Sequence, residues 1–135
     1  MTEASPHVDR LRARLATLTH HAVPSIIVAN EIGLIEHVDP ELARSLRWRV
    51  DQLLDQPLTT IIPRRFRDAH NLGFSRFLMT REPTLLDRPL GLWVATASGD
   101  ELRAEHVITG MLVERGWVFG ATIDVVGEEV ALDAR

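Results

Sequence analysis

The sequence contains no cysteine and no lysine, so each of its 15 basic residues is an arginine. Without thiols there are no disulfides, no thiolate zinc site and no cysteine nucleophile. Long apolar runs are missing too. The longest uncharged stretch, Leu15 to Asn30, includes Thr17, His20, His21, Pro24 and Ser25, too polar a segment to cross a bilayer. The first residues carry Glu3 and Asp9 and lack a long apolar centre. They do not read as a signal peptide, and the expected location is cytoplasmic. Glycine-rich phosphate loops are absent: Gly91, Gly99, Gly110, Gly116 and Gly120 are scattered. Ser25, Ser45, Ser75 and Ser98 have no nucleophile-elbow context. The expectation is therefore a protein that is not an enzyme.

What is present suits a folded globule. The 135 residues make one domain's worth of chain, with 45% hydrophobic and 25% charged residues. Fifteen Arg against 19 Asp and Glu leave a net charge of −4, which argues against a dedicated nucleic-acid binder.

From Val8 a helical pattern starts, with Val8, Leu11, Leu15 and Leu18 spaced 3, 4 and 3 residues apart. That is the narrow stripe of a coiled-coil seam. It fits a helix packed on its own domain as well as a dimer interface, and it ends near His20 or His21. Ile26 to Ala29 reads as a buried strand, Asn30 to Gly33 as a turn and Leu34 to Val38 as the return strand. Asp39-Pro40-Glu41 opens a helix, with Asp39 as its cap and Pro40 in the first position. Leu42, Ala43 and Leu46 share one side of it. Val50 to Gln56 gives a further short helix, stopped by Pro57. After Pro63, the spacing of Phe66, His70, Phe74 and Phe77 puts all four on one face of a helix over 64–79. Three strands follow, over 90–97, 102–109 and 117–126, with turns at Ser98-Gly99-Asp100 and Arg115-Gly116. This order is α+β: a five-stranded antiparallel sheet, helices on one face, and an N-terminal amphipathic helix.

Over about residues 22–126 the chain resembles a PAS domain. Ile26 to Ile35 is similar to the first PAS hairpin, with its acidic-x-Gly-x-Ile turn. Leu53 to Pro57, Ile61-Ile62-Pro63, Phe66 to His70, Thr96 to Leu102 and Thr122 to Val125 resemble further PAS segments in the same order. Asp39 stands where the family has Asn, Gln56 where it has Gly, and Val125 where Thr is common. The resemblance implies residues 1–21 as leader and dimerisation helix, 22–126 as the PAS-like domain, and 127–135 as a tail or linker. It implies a sensory, signal-transducing module with a small ligand in an internal pocket, of unknown identity. The pocket residues it indicates are Phe66, His70, Phe74, Phe77, Leu42, Leu46, Trp93, His106 and Ile108. A homodimer would use Val8, Leu11, Leu15 and Leu18, and Asp124 would relay the signal toward an effector domain or signalling partner.

A covalent flavin adduct is excluded because the chain has no cysteine. Haem stays open, since His70 lies where the haem-binding members carry an axial histidine. One alternative is a ligand-free protein–protein interaction domain, which pocket volume separates from the sensor. Another is a small-molecule isomerase of cone-like α+β fold, which would need a polar, titratable pocket and has only His70 and His106 as candidates. His20, His21 and His37 have no carboxylates at ligand spacing, so no metal is expected beyond a haem iron at His70. No nucleic acid or membrane partner is expected.

Overall fold

A computed structural model describes residues 6–80 and 86–127 of the chain. Helix α1 (Pro6–Thr19) leads into β1 (Ile27–Asn30) and β2 (Ile35–Val38). Two short helices follow, α2 (Pro40–Ser45) and α3 (Val50–Leu53), then 3-10 turns at Leu58–Ile61 and Arg64–Phe66. Helix α4 (Arg67–Thr80) precedes β3 (Pro89–Ala95), β4 (Glu101–Val113) and β5 (Gly116–Gly127). The strands form one antiparallel sheet in the order β2-β1-β5-β4-β3. The first and last strands are thus neighbours at its centre.

The expected α+β class and five-stranded sheet are what is seen. The hairpin turn follows from Asn30, whose Oδ1 accepts the Ile32 and Leu34 amides at 3.1 and 3.0 Å. Gly33 supplies the left-handed φ of 88° that the turn needs. Strand β1 is apolar on both sides because both of its faces are covered. Ile27 joins the inner core with Ile35, Val38, Leu42, Ala43, Leu46, Leu53, Ile61, Val94, Ala104, Ala121 and Ile123. Ile26 and Val28 join an outer core with Val8, Leu11, Leu15, Val107 and Val118.

Helices α2, α3 and α4 share the inner face, as expected, while α1 covers the opposite face. Its seam is turned onto its own sheet: Leu11 and Leu15 are fully buried and Val8 nearly so. Leu18 packs half-buried beside them. Gly120 lets α1 come close, since a Cβ there would stand 3.1 Å from Leu11 Cβ. The expected dimer seam is therefore occupied within one chain, and a second copy could reach it only if α1 left the sheet.

Asp39 does not cap α2 with its side chain. Its carboxylate instead gathers four donors at the rim between the two faces. Arg12 reaches it with two nitrogens, the Ile26 amide donates at 2.8 Å and His37 Nε2 lies 2.8 Å away. Arg12 also donates to the Pro24 carbonyl at 2.9 Å. Burial alone would raise the Asp39 pKa, but the bonds from Arg12, Ile26 and His37 outweigh it and hold the carboxyl below its ordinary value. A second arginine of α1, Arg14, donates to Thr109 Oγ1 at 2.6 Å and to Asp87 at 3.1 Å.

Candidate functional site

Helix α4 is set on the sheet by its lead-in. Arg67 Nε donates to the Ile62 carbonyl at 2.9 Å, and Arg65 bonds Glu101 at the start of β4 at 2.5 Å. The lead-in is a 3-10 turn, so the helical face begins one turn later than the sequence spacing predicts. Phe66 consequently leaves the stripe. It is exposed, with the Arg65 guanidinium 4.5 Å from its ring centre.

The other three residues of the stripe converge on β5. Phe74 meets Phe119 edge-on at 5.3 Å between ring centres, and Phe77 meets Trp117 at 5.0 Å and Phe119 at 5.5 Å. Trp117 and Phe119 stack at 6.1 Å, and His70 stacks on Phe74 at 5.9 Å. Glycines flatten the walls: a Cβ at Gly110 would come within 3.2 Å of the Phe119 ring. All five rings are only half-buried, whereas the aliphatic inner core is closed. The Trp117 indole Nε1 is shut off from solvent and has no hydrogen-bond partner among the described residues. Burial pushes the His70 pKa down, so its imidazole is neutral at pH 7.

Trp117 and Phe119 are the members that the sequence reading left out of the pocket. Their signal was there: in β5 they alternate with Val118 and Gly120, which lie under α1. Trp93 is a correction in the opposite sense. It pairs with Arg103 and precedes Val94 of the inner core, so the pleat turns it to the outer face. There the Arg103 guanidinium sits 5.9 Å from its ring centre. Leu42 and Leu46 belong to the buried aliphatic core, and Ile108 packs half-buried between that core and Phe119.

His106 is on the inner face but farther along the sheet, between Leu90 and Ile123. Desolvation drives its pKa down to about 4, against the weaker opposing pull of the Ala104 carbonyl and of Asp124. Asp124 itself is exposed near the end of β5, beyond the pairing with β1. It borders an open cleft of about 340 Å³ that His21, Val23, Glu41 and Leu42 also line. A second cleft, of about 260 Å³, lies at Trp93 and Arg103. Neither is at α4. Among the described residues, no group of histidine and carboxylate side chains could hold a metal ion. None of the described helices is long and apolar enough to cross a membrane.

A haem does not fit this arrangement. The rings of Phe74, Phe77, Trp117 and Phe119 meet one another across the layer in which a macrocycle would lie, while His70 stacks the face of its ring on Phe74.

No family model and no curated protein matches the sequence. Solved structures do match, and they share the fold. The PAS domain of a Desulfitobacterium hafniense protein superposes with a TM-score of 0.62 at 14% identity, over 76% of this chain and 92% of its own. A PAS domain from a two-component sensor histidine kinase gives 0.59 at 15% identity, over 87% and 98%. The dark structure of the blue-light photoreceptor Aureochrome1 LOV gives 0.59 at 11% identity, over 95% and 88%. The fold is that of PAS domains, as the sequence resemblance implied.

Proposed function

We propose that this PAS-fold chain is a non-catalytic sensory module that holds a small ligand between α4 and the sheet. One observation carries the reading: a half-exposed layer of five rings beside an inner core of fully buried aliphatic side chains. Rings that water still reaches can be parted at lower cost than a sealed core. The layer rests on β5, and β5 is also the floor under α1. A ligand that parts Phe74 from Phe119 therefore acts on the strand that carries α1 on its other face and Asp124 near its end. It does so only by binding one arrangement of α4 better than the other. A signalling partner, or a second copy, would then read the position of α1 or the end of β5.

A ligand-free interaction domain is the second reading, and the closed aliphatic core beside α2 favours it. The two separate on mass spectrometry of small molecules extracted from the purified chain, alongside a Phe119→Ala variant. A bound compound that the variant loses supports the sensor. A chain that carries no compound, and whose melting temperature no aromatic compound raises, is the interaction domain.

A further inference from the structure

The indole N–H of Trp117 has a specific implication for what enters the ring layer, and it rests on the ligand-seat reading above. Buried donors in folded proteins nearly always have an acceptor, and one without a partner points to a group that is missing from its surroundings. Trp48 shows the ordinary case in this same chain: its Nε1 donates to the Ala95 carbonyl at 2.9 Å. Trp117 has the same donor, shielded from water, and no acceptor for it among the described residues. The rings that meet the indole, Phe77 and Phe119, offer no lone pair.

The charges nearby narrow the class further. Glu31 lies against the same residue, accepting the Trp117 backbone amide at 3.0 Å. Its carboxylate repels an anion brought to the indole, and His70 offers no compensating positive charge while it is neutral. A carboxylate or phosphate ligand is thus disfavoured at this spot. The flat, T-shaped and stacked ring surfaces favour an aromatic body.

We infer that the site takes a neutral, flat, fused-ring compound that carries one hydrogen-bond acceptor on its rim, a ring nitrogen or a carbonyl, and that Trp117 Nε1–H donates to that acceptor. Phe74 and Phe77 grip the ring body, and the indole sets its orientation.

Quinoline and naphthalene test this directly, because they have the same shape and differ by one acceptor nitrogen. Each is titrated into the ¹⁵N-labelled full chain while the three indole N–H resonances are followed, with Trp117→Phe identifying the Trp117 signal. Quinoline is expected to bind about fivefold tighter than naphthalene, the size of one net hydrogen bond. It should also move the Trp117 resonance downfield, and in Trp117→Phe the two compounds should bind alike. Equal binding of both compounds to the native chain overturns the Trp117 assignment but leaves the ligand seat standing. A quinoline preference that survives in Trp117→Phe overturns it too, since another donor must then supply the bond. If neither compound binds at millimolar concentration, the ligand seat itself fails.

Discussion

Two helices of equal length lie on opposite faces of the same sheet, and they are held in different ways. Helix α1 buries aliphatic side chains to completion, accepts a backbone approach that only Gly120 permits, and is pinned at its edge by Arg12 and Arg14. Helix α4 touches β5 through aromatic rings that remain half-exposed, above a tryptophan whose N–H is unsatisfied. The first attachment has no slack. The second is apolar but incomplete, and an incomplete apolar contact is where a ligand can enter without first undoing the fold. Closed aliphatic burial thus gives a fixed helix on one face, and a half-exposed ring layer a yielding one on the other.

The strongest way to break this comparison is to open a hole under α1. Leu11→Ala is expected to cost about 3 kcal/mol, because the void against Gly120 and Val118 has little means of collapsing; urea unfolding measures it. If the loss is under about 1 kcal/mol, α1 is not held more firmly than α4.

Acid gives the next effect. His106 titrates near 6.5 when unfolded and at about 4 when folded, so between these values the unfolded chain binds more protons. Stability is complete above pH 6.5 and falls as the pH drops toward 4, by up to about 3 kcal/mol. His70, lowered by the same cause, adds to the fall with the same sign. Asp39 acts in a separate window. Its folded pKa lies below 3.8, so its contribution is intact above that pH and is lost as the pH falls through the folded value. Stability curves against pH for the native chain and His106→Leu should differ between pH 6.5 and 4 and run parallel below. Parallel curves throughout would mean that His106 is not buried neutral.

A smaller effect sharpens the account of the latch. Asp39→Asn keeps the shape and removes the charge that Arg12 bonds, at a cost of about 2 kcal/mol, moderate because water still reaches both groups. Because the chain has no lysine, trypsin cuts only at arginine, and α1 carries Arg10, Arg12 and Arg14. Cleavage there should speed up in Asp39→Asn while cleavage at other arginines is unchanged. Uniform acceleration would place Asp39 in global stability and not in holding α1.

The smallest change belongs to the ring layer. Phe77→Ala is expected to cost about 1 kcal/mol, well below the usual price of a buried phenylalanine, since its ring is half-exposed and its neighbours can close over the gap. A loss near that for Leu11→Ala would make the two helices equivalent.

Much of this architecture was legible in the sequence, because strands, turns and helix stripes are local patterns. Ile26 to Val38 announced a hairpin through β-branched residues and the Asn30 and Gly33 turn. What covers a stripe is not local. The spacing of Val8, Leu11 and Leu15 says which side of a helix is apolar, and it says the same whether a sheet or a second helix lies beneath. Asp39 illustrates the limit well. Its place before Pro40 reads as a cap, and only the fold brings Arg12, 27 positions earlier, to take the carboxylate instead. The candidate site was half legible. His70, Phe74 and Phe77 came from helical periodicity, but a 3-10 turn removed Phe66. Trp93 was lost to the pleat, and Trp117 and Phe119 were gained from it.

The placing of β5 between β1 and β4 has a consequence for how the molecule is made. Ile27 pairs with Ala121, so the centre of the sheet forms only once β5 has left the ribosome, long after β1. Until then the β1–β2 hairpin waits with both apolar faces open and its inner edge unpaired, and α1 has only part of its bed. Such long-range closure slows folding and leaves a sticky nascent intermediate. Truncation before Gly116 should therefore yield an aggregating fragment and not a smaller domain, which makes β5 the strand on which productive synthesis depends.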